Sequence, residues 1–301
     1  MARNCPALRC YASYLRYGIE TFLLGRRRPY LFILVINDGC NLDCFYCSAH
    51  NSGQYDLDFE TAVGLLKGAY SRGHRALVLT GGEPMLWRSK GKTLTDIVKL
   101  AADIGFLEIA VFTNGTFPLM MKGCRYIVTV DGPRDIHETI RPGTYDLILR
   151  HVREAEADVM ASITITKANA PHLEATVESI AAAGCFRAIT FNLLTDRPEV
   201  LQRLGVCGGE RRDVLERIWR LKRRGYPIML SRAAFNALKT NCWERPIDQI
   251  ELGTKQRVFT CCRDVVNPEV CENCGYSSCV EISQILRAKP SAFLEMLRLL
   301  N

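Results

Sequence analysis

The chain has 301 residues, 48% hydrophobic and 24% charged, a composition typical of a globular protein with a large core. Its net charge of +7 comes without a long basic run interleaved with aromatic residues, which argues against nucleic acid as a partner and suits anionic substrates or cofactors. No apolar stretch is long enough to span a membrane, and the N-terminus lacks the apolar segment of a signal peptide, so we expect a cytoplasmic protein.

The first predicted element is an amphipathic helix over residues 11–24, followed by Gly25 and then by Arg26, Arg27 and Arg28. Six apolar side chains recur at helical spacing on one face: Tyr11, Tyr14, Leu15, Ile19, Phe22 and Leu23. We expect this face to pack on the outside of the main domain. The alternative is a helix that lies on a membrane surface, with the arginines near lipid headgroups.

From residue 30 onwards, predicted strands and helices alternate. The strands are expected at 30–36, 76–80, 107–113, 126–130, 159–166 and 188–194, and the helices at 58–72, 93–104, 145–157, 171–183 and 209–224. Such alternation requires parallel strands joined by right-handed crossovers. It predicts an α/β protein, a partial (β/α)6 barrel, with functional loops at the carboxyl ends of the strands.

The loop after the first strand carries three closely spaced cysteines, Cys40, Cys44 and Cys47. Thiolates at this spacing converge on one metal centre, and soft sulfur selects zinc or iron–sulfur clusters. Three ligands, where four are usual, leave one metal position open for catalysis.

The C-x3-C-x2-C spacing, with Tyr46 before the last cysteine, resembles the signature of radical S-adenosylmethionine (radical SAM) enzymes. The second strand ends in Gly81-Gly82-Glu83-Pro84, which resembles a motif at the same place in that family, and its glycines let the backbone approach a ligand closely. The resemblance covers roughly residues 30–195.

The resemblance implies that Cys40, Cys44 and Cys47 hold a [4Fe–4S] cluster whose fourth iron chelates SAM. The Gly-Gly-Glu-Pro motif would bind the SAM amino group. A small electron donor of the ferredoxin or flavodoxin type would reduce the cluster, and the resulting 5′-deoxyadenosyl radical would take hydrogen from an unactivated C–H bond. The protein would then be an oxidoreductase or a transferase.

Further polar side chains near the ends of the predicted strands are candidate cofactor contacts. They are Asn114, Thr129, Asp131, Arg141, Ser162 and Thr164. The resemblance implies ribose or carboxylate contacts at Thr129 and Asp131, and the fork of Arg141 suits a carboxylate. Ser162 and Thr164 alternate with isoleucines, which places them together on one face of a strand, expected to face inward.

The last part of the chain is rich in cysteine. Six fall between residues 242 and 279, namely Cys242, Cys261, Cys262, Cys271, Cys274 and Cys279. This segment has little apolar content of its own, so metal ligation would supply its folding energy, with zinc or iron–sulfur as the metal. A partial resemblance to the SPASM and twitch extensions of radical SAM enzymes implies one auxiliary [4Fe–4S] cluster, with either Cys261 or Cys262 as a ligand.

These observations predict three parts, a lead-in helix over residues 1–29, the barrel over 30–231 and a cysteine-rich domain over 232–301. Three substrate classes stay open. SPASM-type extensions imply a peptide or protein, the lead-in helix resembles that of enzymes acting on isoprenoid lipids, and a cofactor precursor is the third. A lipid substrate would go with peripheral contact at the membrane surface. The rival of a different class is a non-catalytic zinc-binding protein, which would leave Gly81–Pro84 unexplained.

Overall fold

The computed structural model describes residues 7–47, 56–262 and 266–300, and in the terminal helices the side chains of residues 7–11, 14, 299 and 300 lie outside the description. Its ten strands are β1 Leu31–Asn37, β2 Ala76–Gly81, β3 Arg88–Ser89, β4 Lys92–Thr93, β5 Glu108–Thr113, β6 Arg125–Thr129, β7 Val159–Ile165, β8 Ala188–Leu193, β9 Ile250–Gly253 and β10 Val258–Thr260.

Eight of these strands form one open sheet in the order β10-β9-β1-β2-β5-β6-β7-β8, and β3 with β4 forms a small hairpin. Neighbours from β9 to β8 run parallel, while β10 is antiparallel to β9. The predicted α/β class and partial barrel are confirmed. All six predicted strands are present, each within one residue of its expected ends.

The described residues form twelve α-helices. They are α1 Ala7–Gly18, α2 Phe59–Arg72, α3 Leu94–Ile104, α4 Arg134–Ile140, α5 Tyr145–Glu154, α6 Leu173–Ala182, α7 Pro198–Leu204, α8 Gly208–Arg223, α9 Arg232–Thr240, α10 Pro268–Glu272, α11 Ser277–Leu286 and α12 Pro290–Leu300. Local caps fix the start of the first two crossover helices. The Asp58 carboxylate accepts from the Thr61 N–H at 2.9 Å before α2, and Thr93 and Asp96 form a capping box before α3.

The strands of the barrel sheet have two different faces. One face packs on the helices, for example Leu34 of β1 and Leu79 of β2 against Leu66 of α2 and Ile97 of α3. On β5 and β6 the alternate positions stay partly exposed, because they face the inside of the open barrel. The inner face and the loops above it are therefore where a ligand can enter.

The C-terminal segment is built onto this sheet. The strand β9 pairs with β1 at one edge, and at the other edge the Leu193 N–H of β8 donates to the Gly275 carbonyl at 3.0 Å. Cys261, Cys274 and Cys279 belong to the main hydrophobic core, which the sequence did not predict for this segment. The described residues from 232 onwards thus share the sheet and the core of the residues before them. The sequence did not predict β9 and β10, which have four and three residues and too little alternation to detect.

The lead-in helix α1 continues into a π-helical turn over Ile19–Leu23. Tyr17 anchors it, because its ring meets that of Tyr30 at 5.0 Å and its hydroxyl donates to the Arg28 carbonyl at 2.9 Å. The expectation that the apolar face packs on the barrel is wrong for four side chains, because Leu15, Ile19, Phe22 and Leu23 are exposed. The side chains of Tyr11 and Tyr14 lie outside the described residues. No helix in the described ranges is long and apolar enough to cross a membrane.

Gly275 offers a test of the contact between the C-terminal segment and β8. A Cβ at this position would lie 2.5 Å from the Leu193 Cβ and 2.6 Å from the Leu193 carbonyl oxygen. Because both neighbours belong to the sheet, we expect Gly275→Ala to lower the free energy of unfolding by roughly 1–3 kcal/mol, measured by urea denaturation. Gly209→Ala in α8 is the control, since nothing lies within 4 Å of its Cβ position, and it should be neutral or slightly stabilising. Equal effects of the two substitutions would contradict the contact.

Candidate active site

The three cysteines of the first motif lie together on the loop that leaves β1. Cys44 is buried and Cys40 and Cys47 are partly exposed, and the Cys47 N–H donates to the Cys44 carbonyl at 2.9 Å in a tight turn. The thiols of Cys40 and Cys44 each interact electrostatically with that of Cys47. Burial raises the pKa of Cys44 to about 11, and the nearby Arg141 guanidinium opposes that shift.

The Gly-Gly-Glu-Pro loop crosses the beginning of this cysteine loop. A Cβ on Gly81 would lie 2.3 Å from Asn37 Oδ1, and one on Gly82 would lie 2.4 Å from the carbonyl oxygens of Asp38 and Gly39. The Gly82 N–H donates to the Asn37 carbonyl at 3.0 Å. The two glycines therefore make room for the backbone of the cysteine loop. The approach of a ligand to the same glycines stays a prediction.

Glu83 is fully buried, and its carboxylate is held by protein donors. It accepts from Thr113 Oγ1 at 2.8 Å, the Asn114 N–H at 2.7 Å and the Met85 N–H at 3.0 Å. Burial raises the pKa of this carboxyl group, while the three hydrogen bonds oppose the shift. The carboxylate thus joins the end of β2 to the end of β5, and Pro84 begins the short 3-10 turn that follows. Contact of this motif with SAM stays a prediction.

Asn114 connects the end of β5 to the cysteine loop. Its side-chain amide donates to Asn41 Oδ1 at 2.8 Å and reaches the Cys40 sulfur at 3.8 Å, and its oxygen accepts from the Thr116 N–H at 3.0 Å. Neither Asn41 nor Thr116 was predicted from the sequence. The position of Asn41 between Cys40 and Cys44 was the sequence signal that could have identified it as a site residue.

Tyr46, Asp131 and Arg141 form a buried network beside Cys44. The Tyr46 hydroxyl donates to Asp131 Oδ2 at 2.5 Å, Arg141 Nε donates to the same oxygen at 2.8 Å, and Arg141 Nη2 donates to the Tyr46 oxygen at 2.6 Å. Arg141 therefore already holds one carboxylate, that of Asp131, through its Nε, while its Nη2 bonds to Tyr46. In this arrangement the three residues fix the cysteine loop to the end of β6.

A second layer of contacts holds Asp131 in place. Its Oδ1 accepts from the Thr164 N–H at 3.1 Å, its carbonyl accepts from Asn169 Nδ2 at 2.9 Å, and its N–H lies 3.2 Å from His137 Nδ1. Burial lowers the pKa of His137 to about 4, so the ring is neutral, and its other nitrogen meets Thr144 Oγ1 at 2.9 Å. No periodic signal indicated His137 or Asn169, because both contacts arise only in the fold.

The remaining predicted contacts lie on β6 and β7. Thr129 is paired in register with Ser162, and Thr164 with Asn192 of β8. Thr129 and Thr164 are partly exposed, whereas Ser162 is buried. These side chains stay candidates for contacts at the inner face.

Five of the six C-terminal cysteines come together in a second group. The Cys261 thiol is in hydrogen-bonding contact with those of Cys262 and Cys279, and the thiols of Cys271 and Cys274 both interact electrostatically with that of Cys262. The sixth predicted ligand, Cys242, is exposed at the end of α9. Among the described residues, the contacts that join the other five cysteines do not include Cys242.

The surroundings of this second group are cationic. Arg211 Nη2 donates to the Cys274 carbonyl at 3.0 Å, and Arg245 acts electrostatically on Cys271 and Cys274. Burial raises the pKa of Cys274 to about 12, and Arg245 opposes that shift. Cys261 has a φ of +67°, a backbone conformation that is uncommon outside glycine and often marks a functional position.

Both groups have the donor chemistry of iron–sulfur clusters, with thiols drawn together and cations nearby. In the described ranges, no set of three or more His, Cys, Asp or Glu side chains is spaced to hold a single metal ion. A four-iron cluster distributes its cysteine ligands over different irons, so that it needs a wider spacing than one ion does. The soft thiol donors of both groups fit an iron–sulfur cluster.

Residues 34–166 match the family model of the radical SAM superfamily. This stretch is a radical SAM domain. It includes the three cysteines, the Gly-Gly-Glu-Pro loop and the Tyr46 network. Members of this superfamily use a [4Fe–4S] cluster and SAM, so the resemblance on which the sequence interpretation relied is confirmed.

Curated relatives are 26–28% identical to the chain over the stretches that align with it. The sporulation killing factor maturation protein of Bacillus subtilis is 26% identical over 52% of this chain and 41% of its own length. The GTP 3′,8-cyclase of Bradyrhizobium diazoefficiens is 28% identical over 46% of this chain and 43% of its own length. An uncharacterized protein of Methanocaldococcus jannaschii is 26% identical over 54% of this chain and 62% of its own length. The chain thus spans less than two thirds of the length of these relatives.

Solved structures of radical SAM enzymes share the fold. Streptococcus suis SuiB, bound to its precursor peptide SuiA, superposes with a TM-score of 0.54 at 11% identity, over 71% of this chain and 52% of SuiB. The structure of anSMEcpe with bound AdoMet and the Kp18Cys peptide superposes with a TM-score of 0.51 at 18% identity, over 67% of this chain and 64% of anSMEcpe. At these identities the likeness concerns the fold alone.

The Tyr46 network predicts the effect of removing one hydroxyl. Tyr46→Phe leaves the Arg141 Nη2 donor without its partner in a buried place, so we expect a loss of roughly 1–3 kcal/mol in the free energy of unfolding. Iron retained by Cys40, Cys44 and Cys47 should fall as well, because the loop loses an anchor. Urea denaturation and iron analysis measure the two effects. Tyr226→Phe is the control, since its hydroxyl makes only an exposed contact of 3.4 Å, and an equal loss in that variant would contradict the role of the network.

Proposed function

We propose that the chain is a radical SAM enzyme that cleaves SAM reductively and abstracts hydrogen from an unactivated C–H bond of its substrate. The observation that supports this most directly is the convergence of Cys40, Cys44 and Cys47 on one loop, crossed by Gly81 and Gly82, within a radical SAM domain. When bound, the [4Fe–4S] cluster supplies the electron that cleaves SAM.

The residues of the chain would hold and orient this cluster. Cys40, Cys44 and Cys47 are its ligands. The Leu42 N–H, 3.4 Å from the Cys40 sulfur, and the Asn114 amide lie where they can donate to a thiolate. Burial raises the pKa of Cys44, and the nearby Arg141 guanidinium opposes that rise and so favours the deprotonated sulfur that ligation requires.

The second cysteine group would hold an auxiliary [4Fe–4S] cluster. Cys271, Cys274 and Cys279 supply three ligands, and Cys261 and Cys262 compete for the fourth position. Cys261 and Cys262 follow β10 at one edge of the sheet, whereas Cys274 precedes the residues that contact β8 at the other. A cluster here would join the two edges of the open barrel. The contacts give no support to Cys242 as a ligand.

We propose a peptide as the substrate. A maturation protein for a sporulation killing factor is among the relatives, and similar folds were solved with peptides bound. The net charge of +7 suits a small acidic electron donor of the ferredoxin or flavodoxin type.

A cofactor precursor is the second candidate, because GTP 3′,8-cyclases are also among the relatives. Mass spectrometry of peptides and small molecules distinguishes the two candidates. The measurement identifies the compound that accumulates in a deletion strain and in a strain that carries the Cys44→Ala variant. Both strains should accumulate the same unmodified compound. A nucleotide-derived compound, with no change in the peptides, would contradict the peptide proposal.

The first cysteine group is tested by its removal. Replacing Cys40, Cys44 and Cys47 by alanine should abolish 5′-deoxyadenosine formation and lower the iron content of the anaerobically reconstituted protein from about eight to about four per chain. The control is Cys207→Ala, because Cys207 is exposed and remote from both groups in sequence. Continued cleavage of SAM by the triple variant would overturn the proposed activity.

The auxiliary group is tested separately. Cys274→Ala should lower the iron content by about four per chain and reduce the free energy of unfolding, because ligand loss removes metal-binding energy from the fold. Cys242→Ala should keep full iron content, and comparison of Cys261→Ala with Cys262→Ala should identify the fourth ligand. Zinc recovered at this group under strict anaerobiosis would contradict the auxiliary cluster and favour the zinc-binding alternative.

A further inference from the structure

Two segments far apart in sequence leave apolar side chains exposed next to each other. The first is the end of α1 with its π-helical turn, and the second is α12. They meet where the rings of Phe22 and Phe293 lie 5.7 Å apart. The exposed apolar side chains of these two segments, called the apolar patch below, are Leu15, Ile19, Phe22, Leu23, Leu24, Leu294 and Leu297.

The apolar patch is the main concentration of such side chains on the described surface. It contains seven of the twelve large hydrophobic residues that are exposed there, and Leu23, at 77%, has the highest exposed fraction among them. Single exposed leucines are ordinary, but seven exposed apolar side chains on two segments that meet at Phe22 and Phe293 indicate a surface that binds a partner.

Charges around the apolar patch are strongly unbalanced. Residues 15–28 and 287–298 together contain seven basic and two acidic residues. Both acidic side chains are largely covered, since Glu20 keeps 13% of its side-chain surface and Glu295 keeps 7%. Arg16 and Arg298 extend into solvent, with 75% and 70% of their side-chain surface exposed, whereas Arg27 is paired with Glu244 at 2.7 Å. A partner for this surface must therefore be apolar and anionic together.

We propose that this patch docks the protein on the surface of an anionic lipid membrane. Leucine and phenylalanine side chains would enter the boundary between headgroups and acyl chains, and the arginines around them would lie among anionic headgroups. Glu20 supports this arrangement, because it is held between Arg16 and Arg28 at 3.0 and 3.3 Å and so directs no free negative charge outwards.

The position of the patch indicates what docking would do. The turn Ile19–Leu23 and the arginines after it lead into the N-terminal end of β1. The cysteine loop follows the C-terminal end of the same strand. Docking would therefore anchor the protein while the mouth of the barrel stays open to substrate. The proposal does not depend on the proposed SAM chemistry, and it gives no argument for a lipid substrate.

Flotation with liposomes tests the proposal on the full-length, anaerobically reconstituted protein. Vesicles of phosphatidylcholine with phosphatidylglycerol should bind the protein at low salt, and binding should fall at high salt, where the attraction is screened. Vesicles of phosphatidylcholine alone should bind it more weakly. Leu23→Gln with Leu294→Gln should reduce the partition coefficient roughly tenfold per leucine. Arg26→Glu with Arg298→Glu should reduce it at least about 25-fold, since each basic residue contributes roughly fivefold.

Matched variants control for surface changes elsewhere. Met120→Gln with Val266→Gln removes two other exposed apolar side chains, and Lys90→Glu with Lys122→Glu gives the same change of net charge as the arginine pair. The apolar control should bind as the wild type does, and the charge control should bind more tightly than the arginine pair. Circular dichroism and 5′-deoxyadenosine formation should be unchanged in all four variants. Absence of binding to anionic vesicles would overturn the proposal. So would a dimer in light scattering that Leu23→Gln with Leu294→Gln dissociates, because the patch would then bind a second copy of the chain.

Discussion

The close approach between the cysteine loop and the Gly-Gly-Glu-Pro loop is the constraint on which the site depends. The backbone of Asn37–Gly39 lies so near Gly81 and Gly82 that any side chain there would overlap it. Two hydrogen bonds, from the Gly82 and Glu83 N–H groups, hold the two loops in this crossing. Because the cysteines follow directly, their position relative to the sheet is set by this contact. A motif that resembles a ligand site is thus also a packing site.

The same loop is anchored again at its far end by buried charges. A carboxylate and a guanidinium removed from water are costly unless each finds full compensation. Asp131 and Arg141 compensate each other, and the Tyr46 hydroxyl bonds to both. The cysteine loop is therefore fixed at both ends, by backbone contacts at Asn37–Gly39 and by a charged network at Tyr46. Such rigidity favours a cluster held in one orientation.

The C-terminal segment covers the two edges of the open barrel sheet. An open sheet has two edge strands with unpaired backbone groups, which are usually covered in some way. Here β9 and β10 extend one edge beyond β1, and residues around Gly275 cover β8 at the other. The second cysteine group lies along this connection, so its chemistry and the closure of the fold belong to the same residues. At the lead-in helix, by contrast, the apolar face that includes Leu15 and Leu23 is exposed to solvent.

The sequence by itself determined the architecture and the location of the site. Alternating apolar runs predicted all six strands, and the spacing of Cys40, Cys44 and Cys47 indicated the metal chemistry, because both signals are local and depend only on neighbours along the chain. Only the tertiary structure decided what the side chains around the motifs do. Gly82 packs against the backbone of the cysteine loop, Arg141 holds Asp131, and the face of Leu15 and Leu23 stays exposed. These outcomes depend on residues distant in sequence, and no periodicity or spacing encodes which of them will meet.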